Sequence, residues 1–196
     1  MTHWQGKRVI IIGAARQGIA LARYLATHGA LVVLNDHRPK SEFLSTQKSL
    51  SDLPIEWVFG NHPFSLLDRA DLVCPSAGVP LSLPIIVEAQ KRSIPLSNDS
   101  QIFLDDTQCQ VIGITGSAGK STTSTLVGRI AKASVAGIDN EPKKQVWVGG
   151  NIGSPLISIA NEAQPRDLAV MELSSFQLEL MTRSPHVAAI LNITPN

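Results

Sequence analysis

The residues of this chain best suited to chemistry begin at a lysine. Lys120 and Ser121 follow the turn Gly116-Ser117-Ala118-Gly119, which itself follows a short apolar run, Val111, Ile112 and Ile114. Beyond them apolar residues recur at helical spacing, at Leu126, Val127, Ile130 and Ala131. Strand, glycine turn, Lys-Ser and helix, in that order, predict a phosphate-binding loop. The first amides of a helix have no partner within it, and the aligned peptide dipoles favour an anion at that end. Gly116 and Gly119 leave the backbone free to wrap a phosphate. Lys120 would reach the outer phosphates of a nucleotide, and the Ser121 hydroxyl would ligate magnesium. The strict pattern asks for a glycine where Ile114 stands, so the loop is a shorter variant.

Other polar residues sit where strands should end. Glu172 closes the expected strand from Asp167 to Met171, a position from which a carboxylate could share a magnesium ion with Ser121. The competing reading is an exposed strand terminus. Asn151 lies in the glycine-bracketed turn Gly149-Gly150-Asn151-Ile152-Gly153, open to a ligand. Ser174 and Gln177 follow Glu172 and either touch a ligand or cap the next helix. The histidines at 3, 28, 37, 62 and 186 show no metal-ligand spacing, and only His37 falls near a candidate site. Trp4, Trp57 and Trp147 are spread singly and are expected to pack.

These side chains need strands and helices to place them. Val9 to Ile12 predicts a strand, Gly13 to Gly18 a turn, Ile19 to His28 a helix and Leu31 to Leu34 a second strand ending at Asn35 and Asp36. The pattern imitates a dinucleotide-binding fingerprint, but its middle glycine is Ala15, which weakens the case for NAD. Asp36, His37 and Arg38 lie at the carboxyl end of the second strand, where open α/β sheets bind ligands. Asp36 could accept from a ribose or base, and Arg38 could meet a phosphate. Residues 40–53 read as a helix or long loop, Ile55 to Phe59 as a strand, and Asp71 to Cys74 as a strand leading into Ser76, Ala77 and Gly78. Pro84 to Arg92 predicts a helix with proline in its first turn, followed by a strand at Ile94 to Leu96 and a short helix through Leu104. Asp105 to Gln108 is a polar joint, placing one domain at residues 1–107 and another at 108–196. In the second, 134–145 reads as a loop, Val146 to Val148 as a strand, Pro155 to Ala163 as a helix and Val187 to Leu191 as a last strand.

Bulk properties narrow the classes. With 17 basic and 16 acidic residues the 196-residue chain carries a net charge of +1, so no broad basic field points to nucleic acid. No apolar run predicts a signal peptide or membrane span. Two cysteines, Cys74 and Cys109, far apart and without metal-site spacing, fit a reducing compartment. A cytoplasmic protein, without membrane or nucleic-acid partner, is expected. The chain stops just past a predicted strand, which suggests a fragment.

Four words occur in order: I-T-G-S-A-G-K-S-T (Ile114 to Thr122), V-G-G-N-I-G (Val148 to Gly153), M-E-L-S-S-F-Q-L-E (Met171 to Glu179) and L-N-I-T-P-N (Leu191 to Asn196). Together they resemble the Mur ligases of peptidoglycan synthesis, and the E-L-S-S-F-Q word resembles their D-glutamate-adding branch. The resemblance implies a Rossmann-like parallel-sheet α/β domain holding a UDP-sugar, then an incomplete ATPase-type α/β domain. It implies ATP at Gly116, Ser117, Ala118, Gly119, Lys120, Ser121 and Thr122, with Mg2+ held by Ser121 and Glu172, and Lys120 and Glu172 as catalytic residues. Asn151, Ser174 and Gln177 would contact the muramoyl-alanine, and Arg16, Gln17, Asp36, His37, Arg38, Ser76, Ala77 and Gly78 the UDP end. The implied reaction joins D-glutamate to UDP-N-acetylmuramoyl-L-alanine through an acyl phosphate, in a monomeric enzyme. The family continues past T-P-N into a metal-site histidine, a carbamoylated lysine and a third domain, so this chain alone is expected to be inactive. Other readings are a sister Mur ligase, a folylpolyglutamate synthase-like ligase, or a non-catalytic nucleotide-binding module.

Overall fold

The computed structural model describes residues 3–136 and 143–194. The chain divides into two compact units, Met1–Asp99 and Ser100–Asn196.

In the first unit β1 (Arg8–Ile12) leads through α1 (Arg16–Thr27) to β2 (Leu31–Asp36). A 3-10 turn at Lys40–Phe43 and α2 (Leu44–Ser49) precede β3 (Ile55–Phe59). A second 3-10 turn, Phe64–Leu67, then leads to β4 (Leu72–Pro75) and α3 (Pro84–Lys91). The four strands form a parallel sheet in the order β3-β2-β1-β4, with Ile10 opposite Val33 on one side and Val73 on the other. A parallel sheet covered on both faces needs strands that are apolar without alternation, and Val9 to Ile12 and Val32 to Leu34 are buried throughout. Ile10, Ile12, Val33 and Val73 pack against Ile85, Ile86 and Ala89 of α3. Each such large side chain contributes about 1.5–3 kcal/mol on leaving water. The chain runs outward from β1 to β3 and returns to the far side of β1 at β4, so the direction of winding reverses between β1 and β4.

The second unit repeats the logic. After α4 (Asp99–Asp106), whose first residue marks the division, come β5 (Gln110–Thr115), α5 (Lys120–Val135) and β6 (Val146–Gly150). A 3-10 turn at Leu156–Ile159 is followed by β7 (Leu168–Glu172), the short α6 (Ser175–Leu178) and β8 (Val187–Ile190). All four strands are parallel, in the order β6-β7-β5-β8. The strand before the glycine turn is therefore interior, with the strand carrying Glu172 beside it.

Several local expectations are corrected. The strand expected at Ile94 to Leu96 is a single bridge, Val73 with Leu96, because Pro95 has no N–H to extend a ladder and offers only its carbonyl, to Val73. The helix expected from Pro155 to Ala163 is only the 3-10 turn. The turn expected up to Gly18 ends earlier, with α1 already begun at Arg16. Helix α5 reaches Val135, into the expected loop at 134–145, of which 137–142 lie outside the described residues.

The apolar residues that recur at helical spacing in α5 do not form its buried face. Leu126 and Ile130 are 54% and 60% exposed, whereas Ser124 and Gly128 are buried. A Cβ on Gly128 would lie 2.3 Å from Val148 Cγ2. The helix packs on the sheet through its small residues, and close approach has overridden hydrophobicity in choosing the face.

Candidate functional site

The glycine turn after β5 has the local geometry that its sequence demands. Gly119, at φ +81°, is the N-cap of α5 in the left-handed region, and Gly116 is at φ +147°. A side chain at either position would be strained. Lys120 Nζ folds back to donate to the carbonyls of Gly116 (2.6 Å) and Ser117 (3.4 Å). The first regular bond of the helix runs from Thr123 N–H to Gly119 O, so the amides of Lys120, Ser121 and Thr122 form its electropositive mouth.

Glu172 pairs in register with Ile114 of β5, two residues before Gly116. The strand tips are stitched together: Leu173 N–H donates to Ile114 O, and Thr115 Oγ1 to Leu173 O, both at 2.9 Å. The carboxylate is 1% exposed. Its Oε1 accepts from Asn151 Nδ2 at 3.0 Å, while Asn151 N–H donates to Glu172 O at 2.9 Å. Among the described residues its other oxygen, Oε2, is buried without a hydrogen-bond partner. A buried carboxylate oxygen left bare is costly, and a cation is one partner that would relieve it. Among the described residues no three His, Cys, Asp or Glu side chains could together hold a metal.

A cleft of about 480 Å³ runs past this turn, lined among others by Lys120, Asn151, Ser174 and Asn192. Ser121 and Thr122 instead line a separate groove with Arg129. Ser174 caps α6: its Oγ accepts from Gln177 N–H, and Gln177 Oε1 accepts from Ser174 N–H, a reciprocal capping box. Gln177 is 1% exposed, and its Nε2 donates to Ser100 Oγ at 2.7 Å. Its amide is spent on holding Ser174 and α6 in place, while Ser174 itself faces the cleft.

In the first unit the strand ends are sewn together. Ser76 Oγ donates to Gly13 O, Gly13 N–H to Asn35 O, and Ala14 N–H to Asp36 Oδ2, each at 2.7 Å. Asp36 is buried and also accepts from Arg38 N–H, Nε and Nη2 at 2.9–3.0 Å. Burial works against its charge, but the hydrogen bonds from Arg38 and Ala14 and the guanidinium charge outweigh it, holding the carboxyl well below its ordinary range. Arg38 also lies 4.6 Å from the centre of the Phe43 ring. Arg16 is exposed in the first turn of α1, Gln17 is buried there, and His37 and Gly78 are exposed. Ala77 is half-buried. At Gly18 a Cβ would lie 2.0 Å from Gly13 O, so α1 packs hard against the turn.

Three residues escaped the reading of the sequence. His62 Nδ1 bonds Asn35 Oδ1, and its ring centre lies 6.2 Å from that of His37, so His37 is not the only histidine at this strand end. Burial and the neighbouring His37 lower the pKa of His62. Fully buried Asn35 ties this end to β3 and the loop beyond, through Val58 O and Asn61 O. Neither carries a local pattern that would announce it. Asn192 did lie in a distinctive word, L-N-I-T-P-N.

Fold and site define an α/β protein in which a Rossmann-like unit precedes one of phosphate-loop ATPase type. The family model for the Mur ligase MurD-like N-terminal domain matches residues 7–98, and that for the Mur ligase middle domain matches residues 114–196. The chain belongs to the Mur ligase family. It is 38% identical to the UDP-N-acetylmuramoylalanine--D-glutamate ligase of Exiguobacterium sibiricum over 190 residues, covering 96% of this chain and 40% of that protein. The enzyme of the same name from Enterococcus hirae is 38% identical over 193 residues, covering 97% and 40%. The chain thus spans about 40% of the length of these curated relatives. Among solved structures, UDP-N-acetylmuramate-alanine ligase from Thermotoga maritima matches with a TM-score of 0.52 at 20% identity. That match covers 95% of this chain and 41% of the other, and it supports the fold.

Proposed function

We propose that this chain carries the UDP-sugar and nucleotide sites of an ATP-dependent ligase. Its reaction joins D-glutamate to UDP-N-acetylmuramoyl-L-alanine in peptidoglycan synthesis. The observation that carries the reading is Glu172, buried at the strand tip beside the phosphate loop with one oxygen bare. The substrates are those of the relatives, which are UDP-N-acetylmuramoylalanine--D-glutamate ligases.

A carboxylate resists amide formation because its leaving group would be oxide. Transfer of the γ-phosphoryl group of ATP to the alanine carboxylate makes an acyl phosphate. The amine of D-glutamate then attacks the carbonyl, phosphate departs with the bonding electrons, and the amine gives up a proton. The protein's share is positioning and charge neutralisation. Within the loop from Gly116 to Thr122, the amides of Gly119, Lys120, Ser121 and Thr122 would cradle the phosphates. Lys120 would leave the loop carbonyls for the outer phosphates. Ser121 and Glu172 would hold Mg2+, which supplies positive charge against the phosphate oxygens. Asn151 would both orient Glu172 and, with Ser174, face the muramoyl-alanine, and Gln177 would act through Ser174. In the first unit Arg16, Gln17, Asp36, His37, Arg38, Ser76, Ala77 and Gly78 form the proposed UDP end. Residues 1–107 and 108–196 are the proposed functional domains, in a monomeric cytoplasmic enzyme.

Calorimetry of the purified chain against UDP-N-acetylmuramoyl-L-alanine and against NAD tests the reading. Binding of the UDP-sugar without NAD is expected. A preference for NAD would overturn the assignment.

A further inference from the structure

The segment after β8 grips the phosphate loop. Leu191 N–H donates to Thr115 O, which carries the parallel pairing of β8 with β5 one step beyond the strand. Asn192 O then accepts from Ser117 N–H at 3.0 Å. The Asn192 side chain makes a two-point pair with the Ala118 peptide: Oδ1 accepts from Ala118 N–H at 2.9 Å and Nδ2 donates to Ala118 O at 3.0 Å. Thr194 N–H donates to Ser117 Oγ at 3.0 Å. Gly116 is held close beneath, since a Cβ there would lie 3.2 Å from Asn192 N and O and 3.1 Å from Leu191 Cβ.

These bonds divide the loop in two. Ser117 and Ala118, at its crest, are committed to Asn192, whereas the amides at the start of α5 remain turned to the helix mouth. A primary amide is the one side chain of this length able both to donate to a peptide carbonyl and to accept from the same residue's N–H. From this geometry we propose that Asn192 is a positioning residue for nucleotide binding: its side chain clamps the crest of the loop through Ala118, so that the amides of Gly119 to Thr122 are already in place for a phosphate. The clamp stays closed when nucleotide binds. This deepens the proposed function and rests on the loop being a nucleotide site. Preorganisation of this kind raises affinity by removing the cost of ordering the loop on binding.

The test is titration of the whole chain with MgADP and with UDP-N-acetylmuramoyl-L-alanine, in wild type, Asn192→Ala and Asn192→Asp. A hydrogen bond of this class shifts an equilibrium roughly two- to tenfold. Asn192→Ala is therefore expected to bind MgADP about fivefold to tenfold more weakly at unchanged UDP-sugar affinity. Asn192→Asp should bind more weakly still, because a carboxylate oxygen would face Ala118 O beside the phosphates. In wild-type protein labelled with nitrogen-15, the Asn192 side-chain amide should remain hydrogen bonded at saturating MgADP, a signature that needs no variant. MgADP binding by Asn192→Ala equal to or tighter than wild type overturns the clamp, as does release of that amide on nucleotide binding. If wild type itself binds no MgADP, the nucleotide site fails and the clamp with it.

Discussion

Replacing Glu172 by glutamine separates a metal-binding carboxylate from a structural one. In the folded chain Oε1 is satisfied by Asn151 Nδ2, whereas Oε2 is buried and bare. An unsatisfied buried polar group costs about 1–3 kcal/mol, and more when charged. Glutamine keeps the shape and the bond from Asn151 while exchanging the bare charged oxygen for a neutral amide. The variant should therefore be more stable than wild type by about 1 kcal/mol when no metal or nucleotide is added. For a unit the size of Ser100–Asn196, that is a rise in Tm of roughly 4–8 °C. Addition of MgADP should raise the Tm of wild type and leave the variant nearly unmoved, since stabilisation follows ligand affinity. Differential scanning calorimetry with and without MgADP reads both halves. A Glu172→Gln protein that melts lower than wild type and responds equally to MgADP would refute the reasoning. The carboxylate would then be a structural acceptor.

Two further outcomes follow from the packing. The Asp36 carboxyl is held below its ordinary value of 3.8, so the stability it contributes is fully present above that pH and is lost as pH falls toward the folded value. Asp36→Asn should flatten the acid side of the stability–pH curve. At neutral pH it should cost about 2 kcal/mol, less than for a fully buried pair because water screens the part-exposed Arg38. Urea unfolding at pH 7 and pH 3.5 measures both effects, and an unchanged acid slope would contradict the assignment. On α5, Gly128→Val should destabilise by about 2–3 kcal/mol through overpacking against Val148, while Ile130→Lys should change stability by about 0.5 kcal/mol or less. Thermal melts of the pair would reverse that order if the apolar face of α5 were the buried one.

Much of this protein could be read from local pattern. The unbroken apolar runs at Val9 to Ile12, Val111 to Ile114 and Leu168 to Met171 predict buried parallel strands, because only a sheet covered on both faces tolerates them. Gly116 to Ser121 announces its loop because few backbones can turn that tightly into a helix. Glu172 was legible as the polar residue ending an apolar strand. Tertiary structure alone decided which strand lies beside the one that enters the loop, and hence that Glu172 pairs in register with Ile114. It also turned Ser124 and Gly128 of α5 inward in place of Leu126 and Ile130, since the distance between helix and sheet belongs to neither element alone. The bonds from Asn192 to Ala118 and from His62 to Asn35 join residues 74 and 27 positions apart. Such pairs come into reach only when separate strands end side by side, and that closeness is a property of the folded sheet.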